Sequence, residues 1–216
     1  MLRILTVITL FVAFAFAGDA YGAADAKASF FNSKETRSTN LKPFKKWTQA
    51  LARYSKERAA SKGGSCKATK MNKCHYALWI KYLTKLKAQN LSQGKIIQAI
   101  NTRMNKAKYI TDGNNWGKKD YWATPSEFMA KFGDCEDYAI IKYLSLRMLG
   151  FKEDQLRVVA VKDLNLKVGH AILIVYIKGQ AYLLDNQIKK VVKASSVKHY
   201  QPIFSINATA WWRHRV

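Results

Sequence analysis

Hydrophobic residues recur at three- and four-residue intervals through much of the first two thirds of the chain. This spacing puts apolar side chains on one face of an α-helix. It predicts helices over residues 41–60 and 75–88, and a third that starts near residue 92. Residues 109–122 follow no period and are rich in aromatic residues, glycine and asparagine, so we expect a loop packed against the rest of the domain.

Two further helix starts are marked by their capping residues. Thr124 and Glu127 form a capping box with a proline between them, which predicts a short helix up to about residue 131. Gly133 ends that helix, and Asp134 is a suitable N-cap for a longer one whose apolar residues again have helical spacing. Gly150 terminates the long helix.

The pattern changes from helical to extended after residue 155. Residues 156–162 are apolar and β-branched, and residues 169–178 are apolar at both parities, which is typical of a strand buried on both faces. A Lys-Gly turn separates this strand from residues 180–185, and residues 191–193 continue the sheet.

Helices therefore come first along the chain, over 41–149, and strands follow over 156–193. This order predicts an α+β fold in which helices pack on a meander of antiparallel strands. We assign residues 27–216 to one domain, because about 190 residues suffice for a single core, and one domain with a small helical subdomain is the alternative. The C-terminal tail, 194–216, has no functional interpretation and is expected to pack on the helical part.

Residues 1–26 have the composition of a secretory signal peptide. Arg3 provides a positive charge, an uncharged apolar run covers residues 4–17, and small residues suited to cleavage follow. The run is shorter than the ~20 apolar residues of a comfortable transmembrane helix. We therefore expect export and no transmembrane span in the mature protein, with an uncleaved membrane anchor as the alternative.

The chain is strongly basic, with 37 Lys and Arg residues against 14 Asp and Glu residues and a formal net charge of +23. Such a field attracts anionic partners. Export and the lack of a recognisable nucleic-acid-binding motif argue against nucleic acid, and an acidic protein substrate or a membrane surface fits better. The alternative is that the charge reflects a generally basic proteome.

The three cysteines are Cys66, Cys74 and Cys135. In an oxidising compartment the first two are close enough in sequence to close a short disulfide loop, with two unpaired thiols as the alternative. His75 beside Cys74 also suggests a metal site, but no second pair of ligands is evident. Cys135 is the cysteine left over.

Cys135 directly follows Asp134 and so occupies the first position of the long helix. The unpaired backbone N–H groups and the positive end of the helix dipole at that position favour a thiolate, which is the nucleophilic form. The alternative is an ordinary buried cysteine that happens to start a helix.

The Lys-Gly turn determines which residues of the two flanking strands face each other. With a two-residue loop, Ile177 lies opposite Gln180, and counting back places Ile172 opposite Asp185. His170 is two residues from Ile172 and therefore lies on the same face of the sheet. His170 and Asp185 are then diagonal neighbours, close enough for their side chains to meet. A loop with an odd number of residues would separate them.

A cysteine at a helix start, a histidine on a strand and a facing carboxylate are the elements of a catalytic triad. His170 would accept the thiol proton of Cys135 and later protonate the leaving amine, while Asp185 holds the imidazole in the required tautomer. Taken singly, His170 is as well explained as a core histidine and Asp185 as a turn residue. Their combination favours the triad.

Several segments carry a more specific signal. They resemble the bacterial transglutaminase-like cysteine proteases of the LapG type over roughly residues 40–193, and the segments concerned are 121–125, 133–140, 142–143, 169–171 and 184–186. The resemblance implies a papain-like, transglutaminase-type core, with the nucleophile on a central helix packed on an antiparallel sheet. By position it also implies the triad Cys135, His170 and Asp185.

The resemblance further implies a calcium-dependent periplasmic enzyme. Proteases of this type cleave the N-terminal region of a giant surface adhesin at a di-alanine site, release it from the outer membrane and so promote biofilm dispersal. An inner-membrane cyclic-di-GMP receptor of the LapD type holds them back. The calcium site of the family flanks the nucleophile, which here points to Asp134, Glu136 and Asp137, and hard carboxylate oxygens suit calcium.

The oxyanion hole is less narrowly defined by the sequence. The backbone N–H of Cys135 is one expected donor, and the indole of Trp116 or Trp122 is the candidate for a second. Two other functions remain open at this point. A transglutaminase or amidase would use the same triad on glutamine, and a non-enzymatic module would use the basic surface to bind an acidic partner or lipid.

Overall fold

The protein is described here by a computed structural model, which covers residues 30–60 and 73–216. Six α-helices and seven strands lie within these ranges. The helices are α1 Lys45–Ala60, α2 Lys73–Lys87, α3 Gln93–Met104, α4 Asp112–Trp116, α5 Pro125–Lys131 and α6 Cys135–Met148.

The seven strands form one antiparallel sheet with the order β1-β7-β6-β2-β3-β4-β5. Together with the helices, this sheet confirms the α+β class. The strands are β1 Lys34–Ser38, β2 Leu156–Asp163, β3 Val168–Ile177, β4 Gln180–Leu184, β5 Val192–Lys193, β6 Tyr200–Ile206 and β7 Trp211–Arg215.

The central helix of the fold is α6, whose residues from Asp137 to Leu146 are all buried. It packs on β2 and β3 on one side and on α3 and α5 on the other. A helix with apolar residues around most of its circumference has to be buried in this way. The position of α6 confirms that the helix predicted to carry the nucleophile packs on the sheet.

The sheet separates two apolar layers. The larger layer lies between the sheet and the helices, and the smaller one covers the opposite face. Residues of β3 alternate between them, with Leu173 in the larger layer and Ile172 in the smaller one. The prediction of a strand buried on both faces is therefore confirmed.

The hairpin between β3 and β4 has the predicted register. Its two-residue loop is Lys178-Gly179, and both residues have positive φ angles of 49° and 76°. These angles match the turn type whose twist suits a tight hairpin, and glycine takes the second one without strain. Ile177 pairs with Gln180, as the parity argument requires.

The C-terminal tail is where the predicted architecture needs the largest correction. Instead of ending near residue 193, the sheet continues through β6 and β7, and β7 pairs with β1 from the polar stretch before the first helix. These strands lack a clear apolar alternation. Pro202 has no N–H to donate, and the register between β6 and β2 shifts next to it.

The tail also packs on the helical part, as expected. The rings of Phe204 and Trp211 each lie 5.0 Å from the ring of Phe44, between centroids. The indole N–H of Trp47 donates to the carbonyl of Asn207 over 3.0 Å.

The helix predictions hold with small shifts at the ends. The first helix starts at Lys45 rather than near residue 41, and α5 has the predicted capping box, since Thr124 and Glu127 exchange hydrogen bonds. The region predicted as an irregular loop contains the short helix α4.

Some predictions fall outside the described residues. The signal peptide over 1–26 and Cys66 lie there, as does the side chain of Cys74, so the disulfide stays a prediction. Among the helices of residues 30–60 and 73–216, none has the length and apolarity needed to cross a membrane.

Candidate active site

Cys135 is the first residue of α6 and Asp134 is its N-cap. The carboxylate of Asp134 makes no capping hydrogen bond to the helix, contrary to expectation. Its Oδ2 instead accepts from the backbone N–H of Asp112 over 3.3 Å. The side chain is therefore turned away from the helix end towards a neighbouring loop.

The sulfur of Cys135 reaches β3 from the helical side. The backbone of Ala171, the residue after His170, hydrogen-bonds to Cys135. Sγ also lies 3.2 Å from Oε2 of Glu136. Burial, followed by the charges of Glu136 and Asp134, raises the pKa of the Cys135 thiol. Burial of the sulfur, together with the two carboxylates that flank it, therefore opposes the effect of the helix dipole on the thiol pKa.

His170 and Asp185 are both buried and hydrogen-bonded to each other. Nε2 of His170 lies 2.9 Å from Oδ1 of Asp185, which confirms the geometry predicted from the hairpin. An ionised carboxylate can only accept, so Nε2 donates in this contact and Nδ1 is the ring nitrogen that remains for another partner.

Asp185 is further held by two other donors. The backbone N–H of Gln187 donates to Oδ1 over 2.9 Å, and the hydroxyl of Tyr200 donates to Oδ2 over 2.7 Å. Burial alone would raise the pKa of Asp185, but the hydrogen bonds from His170 and Tyr200 outweigh it and lower that pKa. Asp185 therefore stays ionised and keeps its partner imidazole oriented.

A cluster of carboxylates lies beside Cys135. Oxygens of Asp112, Asp134 and Asp137 all lie within 4.8 Å of one another, and each residue has a buried oxygen without a hydrogen-bond partner in residues 30–60 and 73–216. Burial and the charge of Glu136 raise the pKa of Asp134 to about 7, and burial raises the pKa of Asp137 well above its usual value. Carboxylates with unpaired oxygens at this spacing fit a divalent cation.

A second group of carboxylates shares one member with the first. Asp112, Asp120 and Glu136 also bring oxygens within 4.8 Å of one another. The structure thus gathers the predicted Asp134, Glu136 and Asp137 around a single residue, Asp112, that sequence reasoning missed. Asp112 lies in the region expected to be a packed loop, and an aspartate before glycine and asparagine is a usable signal.

The carboxylates also tie the loop after α4 to the start of α6. Oδ2 of Asp112 accepts from the backbone N–H of Tyr121, and Oδ1 of Asp137 accepts from that of Ala123 over 2.6 Å. Anything that changes the charge of this cluster therefore acts on both segments.

The sequence profile of the bacterial transglutaminase-like cysteine proteinases (BTLCP) matches residues 63–213. The chain belongs to this family. Three solved structures of LapG from Legionella pneumophila are similar to it as well. The calcium-bound form is 29% identical, with a TM-score of 0.61, over 74% of this chain and 87% of that one.

The other two LapG structures agree with the first. One is 28% identical with a TM-score of 0.60, over 76% of this chain and 85% of that one. The EGTA-treated form is 27% identical with a TM-score of 0.61, over 77% and 86%. The curated proteins contain no match. The chain is therefore a transglutaminase-like cysteine protease of the LapG type.

The two tryptophans considered for the oxyanion hole of the protease lie in aromatic clusters. The ring of Trp122 packs edge to face on Trp47, with centroids 6.2 Å apart. The ring of Trp116 lies 4.7 Å from that of Tyr121, and its buried indole N–H has no hydrogen-bond partner within the described part of the chain. The role of both indoles in catalysis stays a prediction, and Trp116 keeps a free donor.

Sequence reasoning also missed Tyr109, which adjoins the nucleophile helix. It forms a bridge with Gly133 and stacks on Tyr138 at 6.5 Å between ring centroids. Burial, followed by the charges of Cys135 and Asp134, raises the pKa of Tyr109 to about 12. The ring is half exposed, so it forms part of the rim of the site.

Lys142 is a buried cation on α6, and its side-chain nitrogen has no hydrogen-bond partner among the described residues. Burial lowers its pKa from 10.5 to about 7, against an opposing effect of Asp185. Between these values the unfolded chain binds a proton that the folded chain does not. Stability should therefore rise with pH across that window.

We expect Lys142→Met to be more stable than the unmodified protease, by about 1–4 kcal/mol at pH 6. The gain should shrink towards pH 10, where the burial cost of the lysine disappears. Thermal unfolding at pH 6, 8 and 10 measures it, with the exposed Lys152→Met as control. A variant that is less stable at pH 6 would mean that Asp185 compensates the charge of Lys142.

Proposed function

We propose that this protease is a calcium-dependent periplasmic endopeptidase in which Cys135 is the nucleophile, His170 the general base and Asp185 the orienting carboxylate. The observation that carries the assignment is the 2.9 Å hydrogen bond between His170 and Asp185. The backbone of Ala171, the next residue of β3, hydrogen-bonds to Cys135.

The reaction follows from the protonation states. Because Nε2 of His170 donates to Asp185, Nδ1 takes the thiol proton of Cys135. The sulfur then bonds to the carbonyl carbon of the scissile peptide and its π electrons move to the oxygen. The intermediate collapses as the C–N bond breaks, and His170 passes its proton to the leaving nitrogen. Water hydrolyses the thioester, and a proton returns to the sulfur through His170.

We assign the calcium ion to three residues, Asp112, Asp134 and Asp137. Glu136 and Asp120 lie next to this group, because they share Asp112 with it. Their unpaired buried oxygens are the hard ligands that calcium prefers. Calcium, when bound, supplies positive charge that offsets the repulsion among these carboxylates. The EGTA-treated and calcium-bound forms of LapG from Legionella pneumophila support the choice of ion.

Gly133 leaves room for this cluster. A Cβ atom there would lie 2.0 Å from Oδ2 of Asp137, a distance that no real contact shows. We expect Gly133→Ala to push Asp137 out of place, to cost about 1–3 kcal/mol of stability and to weaken calcium binding at least tenfold. Calorimetric calcium titration and thermal unfolding measure both effects.

Gly113→Ala is the matched control, because a Cβ at Gly113 meets nothing within 4 Å. It should bind calcium like the unmodified protease. Normal calcium affinity in Gly133→Ala would place the ion away from Asp137.

The proposed substrate is the N-terminal region of a large surface adhesin, cut near a di-alanine site so that the adhesin is released and the biofilm disperses. A cyclic-di-GMP receptor of the LapD type at the inner membrane is the proposed regulator. Membership of the LapG-type proteases supports both. The net charge of +23 also favours a substrate with acidic segments.

Incubation with a purified N-terminal fragment of an adhesin from the same cell tests the proposed function. Mass spectrometry should find one cut next to the di-alanine site, and a fragment with both alanines changed to arginine should stay intact. Equal cutting of the two fragments, or none of either in calcium, would contradict the proposed substrate.

A further inference from the structure

Tyr200 belongs to the C-terminal tail, for which the sequence offered no function. It is the first residue of β6 and is 3% exposed. Across the sheet it pairs with Asp163 of β2, two residues beyond the pair that Val161 forms with His170. The tail thus brings one aromatic side chain to the end of β3 where the triad lies.

Tyr200 contacts both His170 and Asp185, and its ring also packs on the rings of Phe31 and His199. Its hydroxyl donates to Oδ2 of Asp185 over 2.7 Å, and its ring centroid lies 5.5 Å from that of His170. Within residues 30–60 and 73–216, this hydroxyl is the hydrogen-bond donor to Oδ2, whereas Oδ1 has two donors.

Removal of this hydroxyl would leave a buried carboxylate oxygen without a partner. Asp185 is only 1% exposed, so water cannot easily replace the donor. A charged oxygen without a partner is costly in such a place, and the carboxylate would rotate to reduce the cost. Rotation of the carboxylate about the Cβ–Cγ bond of Asp185 also moves Oδ1, which accepts the hydrogen bond from the imidazole of His170.

We infer that Tyr200 is a positioning residue of the protease: its hydroxyl fixes the carboxylate of Asp185 and its ring limits the tilt of His170. The imidazole then stays in the orientation that the proposed triad requires. This inference rests on the proposed triad, but its geometric part can be measured without a substrate.

Tyr200→Phe keeps the ring and removes only the hydroxyl. With the adhesin fragment as substrate, we expect kcat to fall at least tenfold while KM stays within twofold, because the loss affects the orientation of His170 and not substrate binding. Tyr143→Phe is the matched control, since Tyr143 is also buried and its hydroxyl donates to the carboxylate of Glu153, remote from the site. It should lower stability without changing kcat.

A second readout follows the Nε2 proton of His170 by NMR in protein labelled at histidine with ¹⁵N. Exchange of this proton with water should be at least tenfold faster in Tyr200→Phe than in the unmodified protease or in Tyr143→Phe. In the unmodified protease, the hydroxyl proton of Tyr200 should itself exchange slowly and show a nuclear Overhauser effect to the ring of His170.

These readouts separate the inference from the proposed function. If the protease does not cut the adhesin fragment, the proposed substrate fails, and the proton exchange still decides the role of Tyr200. Equal exchange in both variants, or a fast-exchanging hydroxyl of Tyr200 in the unmodified protease, would overturn the inference. An unchanged kcat in Tyr200→Phe would do so as well.

Discussion

Cys135→Ala should lower the rate of adhesin cleavage by at least about 10³-fold while the protein stays folded. The sulfur is the only group at the start of α6 that can form the thioester, and alanine keeps the helix start intact. Cys135 is half-buried, so the loss of one sulfur atom leaves only a small cavity. Cleavage is measured by mass spectrometry and folding by thermal unfolding.

A variant with Cys66 and Cys74 both changed to alanine is the control. It carries one thiol, at Cys135, and should still cleave the adhesin fragment and react with a thiol-directed inhibitor. Residual cleavage above ~1% of normal in Cys135→Ala would show that another group is the nucleophile.

Removal of calcium with EGTA should stop cleavage and lower the melting temperature by several degrees. Calcium at a concentration of about one hundred times its Kd stabilises the folded state by about 2.7 kcal/mol. The melting temperature of a protein of this size rises by about 2–4 °C per kcal/mol of added stability. Asp137→Asn should have the same effect on activity, because the variant removes the charge of Asp137. This residue is fully buried, and one of its oxygens is unpaired among the residues that the structure describes.

Asp154→Asn is the matched control for calcium, since Asp154 is exposed and lies beyond the other end of α6. It should keep both calcium binding and activity. Magnesium should restore activity poorly after EGTA, because it requires a tighter octahedral shell with several waters. Full activity in EGTA would return the carboxylates to a purely structural role.

The hairpin of β3 and β4 could be predicted because its register follows from the number of residues in the turn. Side chains alternate along a strand, so the two-residue turn at Lys178 and Gly179 determines that His170 and Asp185 share a face. Helix α6 was equally accessible, since its N-cap and apolar residues are local signals. The His170–Asp185 contact followed from local rules alone.

Other parts of the fold depend on distant partners and give no local signal. β1 has the sequence KETRS without one apolar residue, and it is a strand because the edge of β7 supplies its hydrogen bonds. Asp112 joins the carboxylate cluster only because α4 packs beside the start of α6. Tyr200 likewise reaches Asp185 across the sheet.

The raised pKa of the Cys135 thiol could not be predicted from the sequence for a related reason. The helix dipole could be inferred from the position of the residue, but the burial of the sulfur and the orientation of the carboxylate of Glu136 could not. Burial of a sulfur and the carboxylates that flank it both act against the partial charge of a helix end.

The central claim, that Cys135 forms a thioester with the peptide carbonyl of its substrate, is tested most directly by hydroxylamine during turnover. Hydroxylamine competes with water for a thioester, so the N-terminal product should carry a C-terminal hydroxamate in a share that rises with its concentration. Cys135→Ala should yield none. A free acid alone at every concentration, or a hydroxamate on a glutamine side chain of an uncut substrate, would contradict the claim, and the latter would make the protein a transglutaminase or amidase.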